Sequence, residues 1–255
     1  MSNEYSNIRI SGGDTGTPLN ISKRITYISK FLYPAKSKVI DCGCGEGQYV
    51  LSLIKTFSVN TVGIEYQLDK VLSSQKVPEL RDRIIQSDIE HIPYPDQYFD
   101  VALLNEVLEH IPDEKRALSE IHRVLVQNGL VIIFAPNRWY PFETHGVRLR
   151  KNGKKVPLWV PFIPYVPLSI GNRVFDYWAR NYWQSEIVHL IKTTRFEVIE
   201  RVWMWQTFEN ISGNQPSLVR HLQPILRAVS NLGQKLPVIK RFGVSQVIVA
   251  RKIYN

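Results

Sequence analysis

Apolar positions along this chain fall into two rhythms, short unbroken runs and longer stretches spaced at three and four, which alternate over most of its length. The first rhythm marks strands buried on both faces, the second helices with one apolar side. Residues 19–33 set Ile21, Ile25, Ile28 and Leu32 on one side of a lead-in helix that Pro34 ends. Strands are predicted at 38–42, 59–65, 83–87, 99–105 and 130–135, with helices at 48–57, 68–74 and 114–126, and an Asn128-Gly129 turn before the fifth strand. Such alternation predicts an α/β fold, a doubly wound parallel sheet with helices on both faces. Residues 138–182 lose the pattern to proline, aromatic and basic residues and read as an insertion. Beyond them come a helix at 183–193, a strand at 196–203, an amphipathic helix at 218–232 and a last strand at 244–251. The expected organisation is a single domain over 1–255, with a core at 37–137, an insertion or lid at 138–182 and a helical insertion at 206–240.

Composition narrows this little. The 255 residues, 44% hydrophobic and 22% charged, suffice for one large core and exclude disordered, collagen-like and coiled-coil classes. The first residues lack the pattern of a signal peptide, and no apolar run is long enough to span a bilayer. Cys42 and Cys44 stand too close for ordinary disulfide geometry and have no second pair to complete a zinc site. A reduced, cytoplasmic protein without a bound metal is therefore expected. Charge changes the picture more. Residues 1–147 carry 15 Lys/Arg against 18 Asp/Glu, a net of −3, whereas 148–255 carry 17 against 5, a net of +12. A basic second half suits an anionic partner such as a lipid headgroup, a phosphorylated substrate or nucleic acid, or simply a solubilising surface.

The candidate chemistry starts where the first strand ends. Asp41 is followed by Gly43, Gly45 and Gly47, and glycine lets backbone approach a ligand that a Cβ would hold off. The dinucleotide fingerprint would need its third glycine at position 48, which is Gln48, and a P-loop would need a following Gly-Lys-Ser/Thr that this chain lacks. Glu65 ends the next strand, 24 residues beyond Asp41, where an acid can hold both hydroxyls of a ribose. Asp88-Ile89 closes the third strand, placing an acid and an apolar neighbour where an adenine edge and face would lie.

On these residues the chain resembles the class I methyltransferases, in the branch of quinone-biosynthesis and small-molecule enzymes. The matching stretches are Val39-Ile-Asp-Cys-Gly-Cys-Gly-Glu-Gly47, Val62-Gly-Ile-Glu65, Ser87-Asp-Ile-Glu-His-Ile-Pro93, Tyr98-Phe-Asp-Val-Ala-Leu-Leu-Asn-Glu-Val-Leu-Glu-His110 and residues 118–136, within 37–137. The resemblance implies a Rossmann-like, mostly parallel seven-stranded sheet with a terminal antiparallel strand, residues 244–251, and an acceptor-side insertion. It implies S-adenosyl-L-methionine as cofactor, with Asp41, Gly43 and Gly45 around its methionine portion and Glu65 on the ribose. It further implies Tyr66 on the adenine, Asp88 and Ile89 at the adenine edge, and Asn105 and Glu106 closing the pocket beneath the sulfonium. The cysteines flanking Gly43 depart from the small residues usual there, and no redox role is assigned to them.

Methyl transfer from a sulfonium is a linear displacement that mainly needs alignment and exclusion of water. A base helps where the acceptor must lose a proton, and histidine suits that near neutral pH. His145, with Glu143 beside it, is the first candidate and His110 the second; each also has a plain structural reading. Residues 156–170 are apolar and proline-rich, so they read as an ordered wall rather than a regular helix or central strand. Beside them Arg148, Arg150, Lys151, Lys154 and Lys155 add positive charge, which suits a lipid-linked or phosphorylated acceptor and peripheral membrane contact. The acceptor is expected to be small, lipid-linked or glycosyl. Two rivals stand beside this. One is a nucleic-acid methyltransferase, disfavoured because Asn105-Glu-Val-Leu replaces the Pro-Pro-Tyr base-handling motif; the other is a non-catalytic, cofactor-binding relative.

Overall fold

A computed structural model describes residues 19–208 and 221–253. Nine strands are named among these residues. Seven form one sheet: β1 (Lys38–Cys42), β2 (Asn60–Glu65), β3 (Ile84–Gln86), β4 (Phe99–Asn105), β5 (Leu125–Pro136), β8 (Phe196–Met204) and β9 (Ser245–Lys252). Their order is β3-β2-β1-β4-β5-β9-β8. The first five pair in parallel and β9 runs antiparallel to both β5 and β8. This is the mostly parallel sheet with one antiparallel strand that the sequence predicts, although β9 lies between two neighbours rather than at an edge. β6 (Val147–Leu149) and β7 (Phe175–Tyr177) make a separate antiparallel pair inside the insertion.

The central strands are apolar on both faces because helices cover both. From β5, Val131, Ile133 and Ala135 face one core while Ile132 and Phe134 face the other; β9 divides the same way, Ile248 and Ala250 against Val247 and Val249. That alternation is the period of two of a strand buried on both sides. The first core is closed by α4 (Glu114–Val124) and α6 (Gln184–Thr193), through Leu118, Ile121, Ile187 and Ile191. The second is closed by α1 (Leu19–Ile28), whose Ile21, Ile25 and Ile28 are buried as their spacing predicts. α2 (Gln48–Phe57) and α3 (Leu68–Ser74) fill the first two βα crossovers.

Several boundaries differ from expectation. The lead-in helix gives way to a 3-10 turn at Ser29–Phe31. α4 stops at Val124 because β5 begins at Leu125, and the expected Asn128-Gly129 turn is an irregularity within that strand, with Asn128 at φ 61°. The proline-rich wall does hold a regular helix, α5 (Leu168–Val174), which starts directly after Pro167, where a missing N–H costs nothing.

The C-terminal helix, α7 (Gln223–Lys235), lies inside out relative to its composition. Its buried residues are Ser230 and Gly233, while Ile225, Val229 and Leu232 are 62, 57 and 60% exposed. The Trp205 ring explains this: a Cβ on Gly233 would come within 2.8 Å of it, so only small residues fit on the inward side. Leu218 and Val219, counted with the same helix in the sequence, lie outside the described residues.

Because β1 and β4 are neighbours while the chain has meanwhile built β2 and β3 on the far side, the winding reverses between them. Open sheets of this kind hold ligands in the crevice outside the strand ends at that reversal.

Candidate functional site

The crevice is floored by the glycine turn after β1. Backbone N–H groups of Gly43 and Cys44 both donate to the Ile64 carbonyl, at 2.8 and 3.0 Å, and fold the turn over the end of β2. Gly43 has φ +74°, and a Cβ there would lie 2.7 Å from Val107 Cγ2, so both geometry and space demand glycine. Gly45, at φ +57°, differs: no atom lies within 4 Å of where its Cβ would be. Its backbone borders open space, but Gly45 is not itself in the lining of the cleft. Glu65 ties the turn to β2, since its Oε2 accepts from Gly45 N at 2.8 Å and its Oε1 from Gln67 N at 2.9 Å. Each of these oxygens keeps a second lone pair for a ligand hydroxyl.

A cleft of about 640 Å³ opens above this floor. It brings together seven residues singled out from the sequence: Gly43, Glu65, Tyr66, Asp88, Ile89, Glu106 and His110. Tyr66 is 72% exposed at the rim. Asp88 Oδ1 caps its own loop by accepting from Glu90 N at 2.9 Å. Asp41 and Asn105 are not in the lining but sit together below it, with Asn105 Nδ2 donating to Asp41 Oδ1 at 3.4 Å. Asp41 Oδ2 and Asn105 Oδ1 are buried without a partner among the described residues, two acceptors that an ammonium or hydroxyl donor would satisfy. Burial raises the Asp41 carboxyl to about 7, against the Asn105 hydrogen bond and with help from the Glu65 charge.

Glu106 lines this cleft and also a smaller cavity of about 220 Å³, which His145, Thr144, Arg24 and Ser245 share. Glu106 thus belongs to the walls of both spaces. Glu106 holds a left-handed backbone, φ 54°, and its Oε1 accepts from Arg24 Nη2 and from Ser245 Oγ, each at 2.5 Å. Burial alone would raise its carboxyl; the Arg24 guanidinium and the Ser245 hydroxyl instead hold it below the usual range. Three residues further on, Glu109 has a fully buried side chain, neither oxygen of which is hydrogen-bonded among the described residues. Its carboxyl is pushed up to about 9 by burial and by the Glu106 charge. His145 Nε2 stands 3.5 Å from Glu109 Oε1, and the His110 and His145 rings meet edge-on with centroids 5.4 Å apart. Burial and the neighbouring His145 lower the His110 pKa, which favours its neutral form.

Glu143 sits in this neighbourhood differently from its partner. Its Oε1 accepts from the backbone N–H of Thr144 and His145, at 2.9 and 3.0 Å, and its Oε2 from Asn181 Nδ2 at 2.9 Å. With both oxygens engaged and 2% exposure, it pins the loop that carries His145. Sequence reasoning did not single out Arg24, Ser245 or Glu109 as site residues. Arg24 and Ser245 are 82 and 139 residues from Glu106, beyond any local signal. Glu109 had one available, since the Glu106-Val-Leu-Glu109-His110 run concentrates three ionisable groups in five positions at a strand end.

Residues 40–133 match the family described as Methyltransferase domain. Among curated relatives, a protein named probable S-adenosylmethionine-dependent methyltransferase from Mycobacterium tuberculosis is 31% identical over 100 residues, covering 39% of this chain and 36% of that protein. The demethylmenaquinone methyltransferase of Lactobacillus johnsonii is 30% identical over 116 residues, covering 42% of this chain and 47% of its own. The aligned stretch thus spans under half the length of these relatives. A solved SAM-dependent methyltransferase from Methanosarcina mazei superposes with a TM-score of 0.58 at 16% identity, over 90% of this chain and 98% of its own; at that identity the likeness is one of fold.

Proposed function

We propose that this chain, whose residues 40–133 match a methyltransferase domain, transfers a methyl group from S-adenosylmethionine to a small acceptor held on the far side of Glu106. The observation that carries this reading is the pairing of an adenosyl-sized cleft with a second cavity that shares Glu106 with it. Glu65 would hold the ribose hydroxyls, Tyr66, Asp88 and Ile89 the adenine, and Asp41, Gly43, Gly45 and Asn105 the methionine portion. When bound, the cofactor supplies an electrophilic methyl group to a nucleophile in line with its sulfonium. Glu106 and Val107 screen that line from solvent, and His145, which lines the acceptor cavity, eases loss of the acceptor's proton, with His110 beside it on the cleft side. Glu143 acts as a positioning residue for His145. Incubation of the pure chain with methyl-labelled cofactor and cell-extract fractions tests the activity: label should enter one acceptor fraction, and a chain that binds cofactor yet labels nothing would refute the reading.

The pH dependence of cofactor binding follows from Asp41. A folded carboxyl near 7 holds a proton that the unfolded chain has lost, so its favourable share of stability is complete below about pH 4 and is lost as pH rises through about 7. A cationic donor placed beside it prefers the ionised form. Cofactor affinity in titration calorimetry is therefore expected to strengthen as pH rises through about 7, and the Asp41→Asn variant is expected to bind more weakly and to lack that step.

For the acceptor, we infer an apolar tail and a lipid-surface encounter. Leu158, Trp159 and Phe162 of the insertion are 53, 74 and 59% exposed, beside exposed Arg150, Lys151, Lys154 and Lys155. An aromatic chain from Phe162 through Tyr165 and Trp139 to Phe242 joins them to the segment after α7, whose own apolar face is outward. Apolar residues rimmed by cations suit an anionic bilayer. A relative that acts on demethylmenaquinone, a quinone, is consistent with such an acceptor. No helix among the described residues is long and apolar enough to cross a membrane, so the contact would be peripheral. Co-sedimentation should be strong with anionic vesicles, weaker with neutral ones, and reduced about tenfold by Trp159→Ser with Phe162→Ser; absence of binding to either vesicle would exclude it.

A further inference from the structure

Glu109 poses a problem that the transfer chemistry leaves unanswered. Its carboxylate is fully enclosed, yet among the described residues neither oxygen has a hydrogen-bond partner. An unpaired carboxylate in such a place is costly and calls for a cation or a proton. Arg24 does not answer it, because that guanidinium donates to Glu106 and Ser245. Two imidazoles stand beside Glu109, and the Glu106 carboxylate faces it as a second negative charge, which adds to the need for a cation or a proton. His145 Nε2 lies 3.5 Å away, His110 is its chain neighbour, and one ligand atom from each of Glu109, His110 and His145 falls within 4.8 Å of the others.

Two histidines and a carboxylate on one side of a point are a recognised ligand set for divalent first-row transition ions. Bond lengths near 2.1 Å place neighbouring ligand atoms roughly 3 to 4 Å apart, so this group needs to close by only about an ångström, within reach of a turn of the exposed His110 ring. The supporting shell is already built. Thr144 Oγ1 is 3.1 Å from His145 Nδ1; with Nδ1–H donating to that hydroxyl, Nε2 turns its lone pair to Glu109. The loop carrying His145 is fixed by Glu143, and the short 3-10 turn Leu108–His110 fixes the other two.

We propose that Glu109, His110 and His145 form a binding site for one divalent transition-metal ion at the boundary between the cofactor cleft and the acceptor cavity. His110 opens on the first space and His145 on the second, so the three protein ligands leave the remaining coordination positions towards both. An acceptor oxygen or nitrogen reaching the ion would be oriented towards the cleft, and a hydroxyl there would become more acidic. That role rests on the methyl-transfer reading and the ion site itself does not; with the ion bound, the ion rather than a free imidazole would ease the acceptor's proton loss.

The test uses the full chain, stripped with a chelator and titrated with Co(II), whose visible d–d bands report nitrogen and oxygen ligands directly. About one equivalent should be taken up per chain, and Zn(II) should displace it. Glu109→Gln and His145→Asn are each expected to weaken uptake at least about 100-fold, while His122→Asn, on the far side of α4, should leave it unchanged. Circular dichroism melts separate ligand loss from unfolding, and His110→Asn gives a third, exposed position where folding is not at stake. Cofactor titration on the same stripped protein reads the other proposal independently. Wild-type protein that takes up no Co(II), or Glu109→Gln binding it as tightly as wild type, overturns the site and makes Glu109 a buried neutral acid.

Discussion

Replacing Arg24 by alanine should lower the unfolding free energy by about 3 kcal/mol, the low end for an ion pair broken from one side, because Glu106 keeps some solvent contact and its bond from Ser245. The two side chains are 15 and 24% exposed and bonded at 2.5 Å, so removal of the guanidinium strands a carboxylate that already feels Glu109. Most of the loss should be recovered in the double variant Arg24→Met with Glu106→Gln, since a neutral amide no longer needs a cation. Urea unfolding of the two singles and the double measures the coupling directly. Arg24→Ala within about half a kcal/mol of wild type would show that the pair holds nothing together. The prediction also reaches function. Glu106 walls both cavities, so Arg24→Ala should impair turnover more than cofactor binding.

The second large effect is expected at Glu65. Its carboxylate accepts from Gly45 N and Gln67 N, and it is the proposed acceptor for the ribose hydroxyls. Each charge-assisted bond to a ligand hydroxyl contributes roughly 1.5 to 3 kcal/mol, so loss of two predicts a cofactor dissociation constant raised at least about 100-fold in Glu65→Ala. Glu65→Gln keeps one acceptor oxygen and should fall between. The loss of the Gly45 tie adds to the effect, because Glu65 accepts from Gly45 N and so holds the glycine turn against β2. Calorimetry with methylated and demethylated cofactor should show the same loss for both, since neither differs at the ribose. Unaltered affinity in Glu65→Ala would move the cofactor out of this cleft.

Legibility in the sequence followed the range of the forces involved. The run Asp41, Gly43, Gly45 and Gly47 is readable because a strand end, a left-handed turn and the following helix are all set within a few residues. Glu65 and Asp88 are readable by the same logic, each standing at or just beyond a strand end predicted from its own apolar run. His145 and His110 were each legible only as a histidine shortly after a strand end; that their rings meet, with centroids 5.4 Å apart, is decided by the tertiary structure. Burial of the Glu109 carboxylate between them had no local signature, since it depends on which way a 3-10 turn points its second residue. α7 shows the converse failure. Its apolar spacing is real, yet the Trp205 ring reserves the inward side for Gly233 and Ser230.

By itself, then, the sequence determined the alternation of strands and helices, the glycine turn and the acids at successive strand ends, because periodicity and backbone conformation are set by neighbours in the chain. Only the tertiary structure decided that Arg24 neutralises Glu106, that Glu106 divides two cavities, that Glu109 is buried against two imidazoles and that α7 faces outward. Those are outcomes of desolvation and charge pairing between residues tens of positions apart. Their energies exist only once the sheet has brought the partners together.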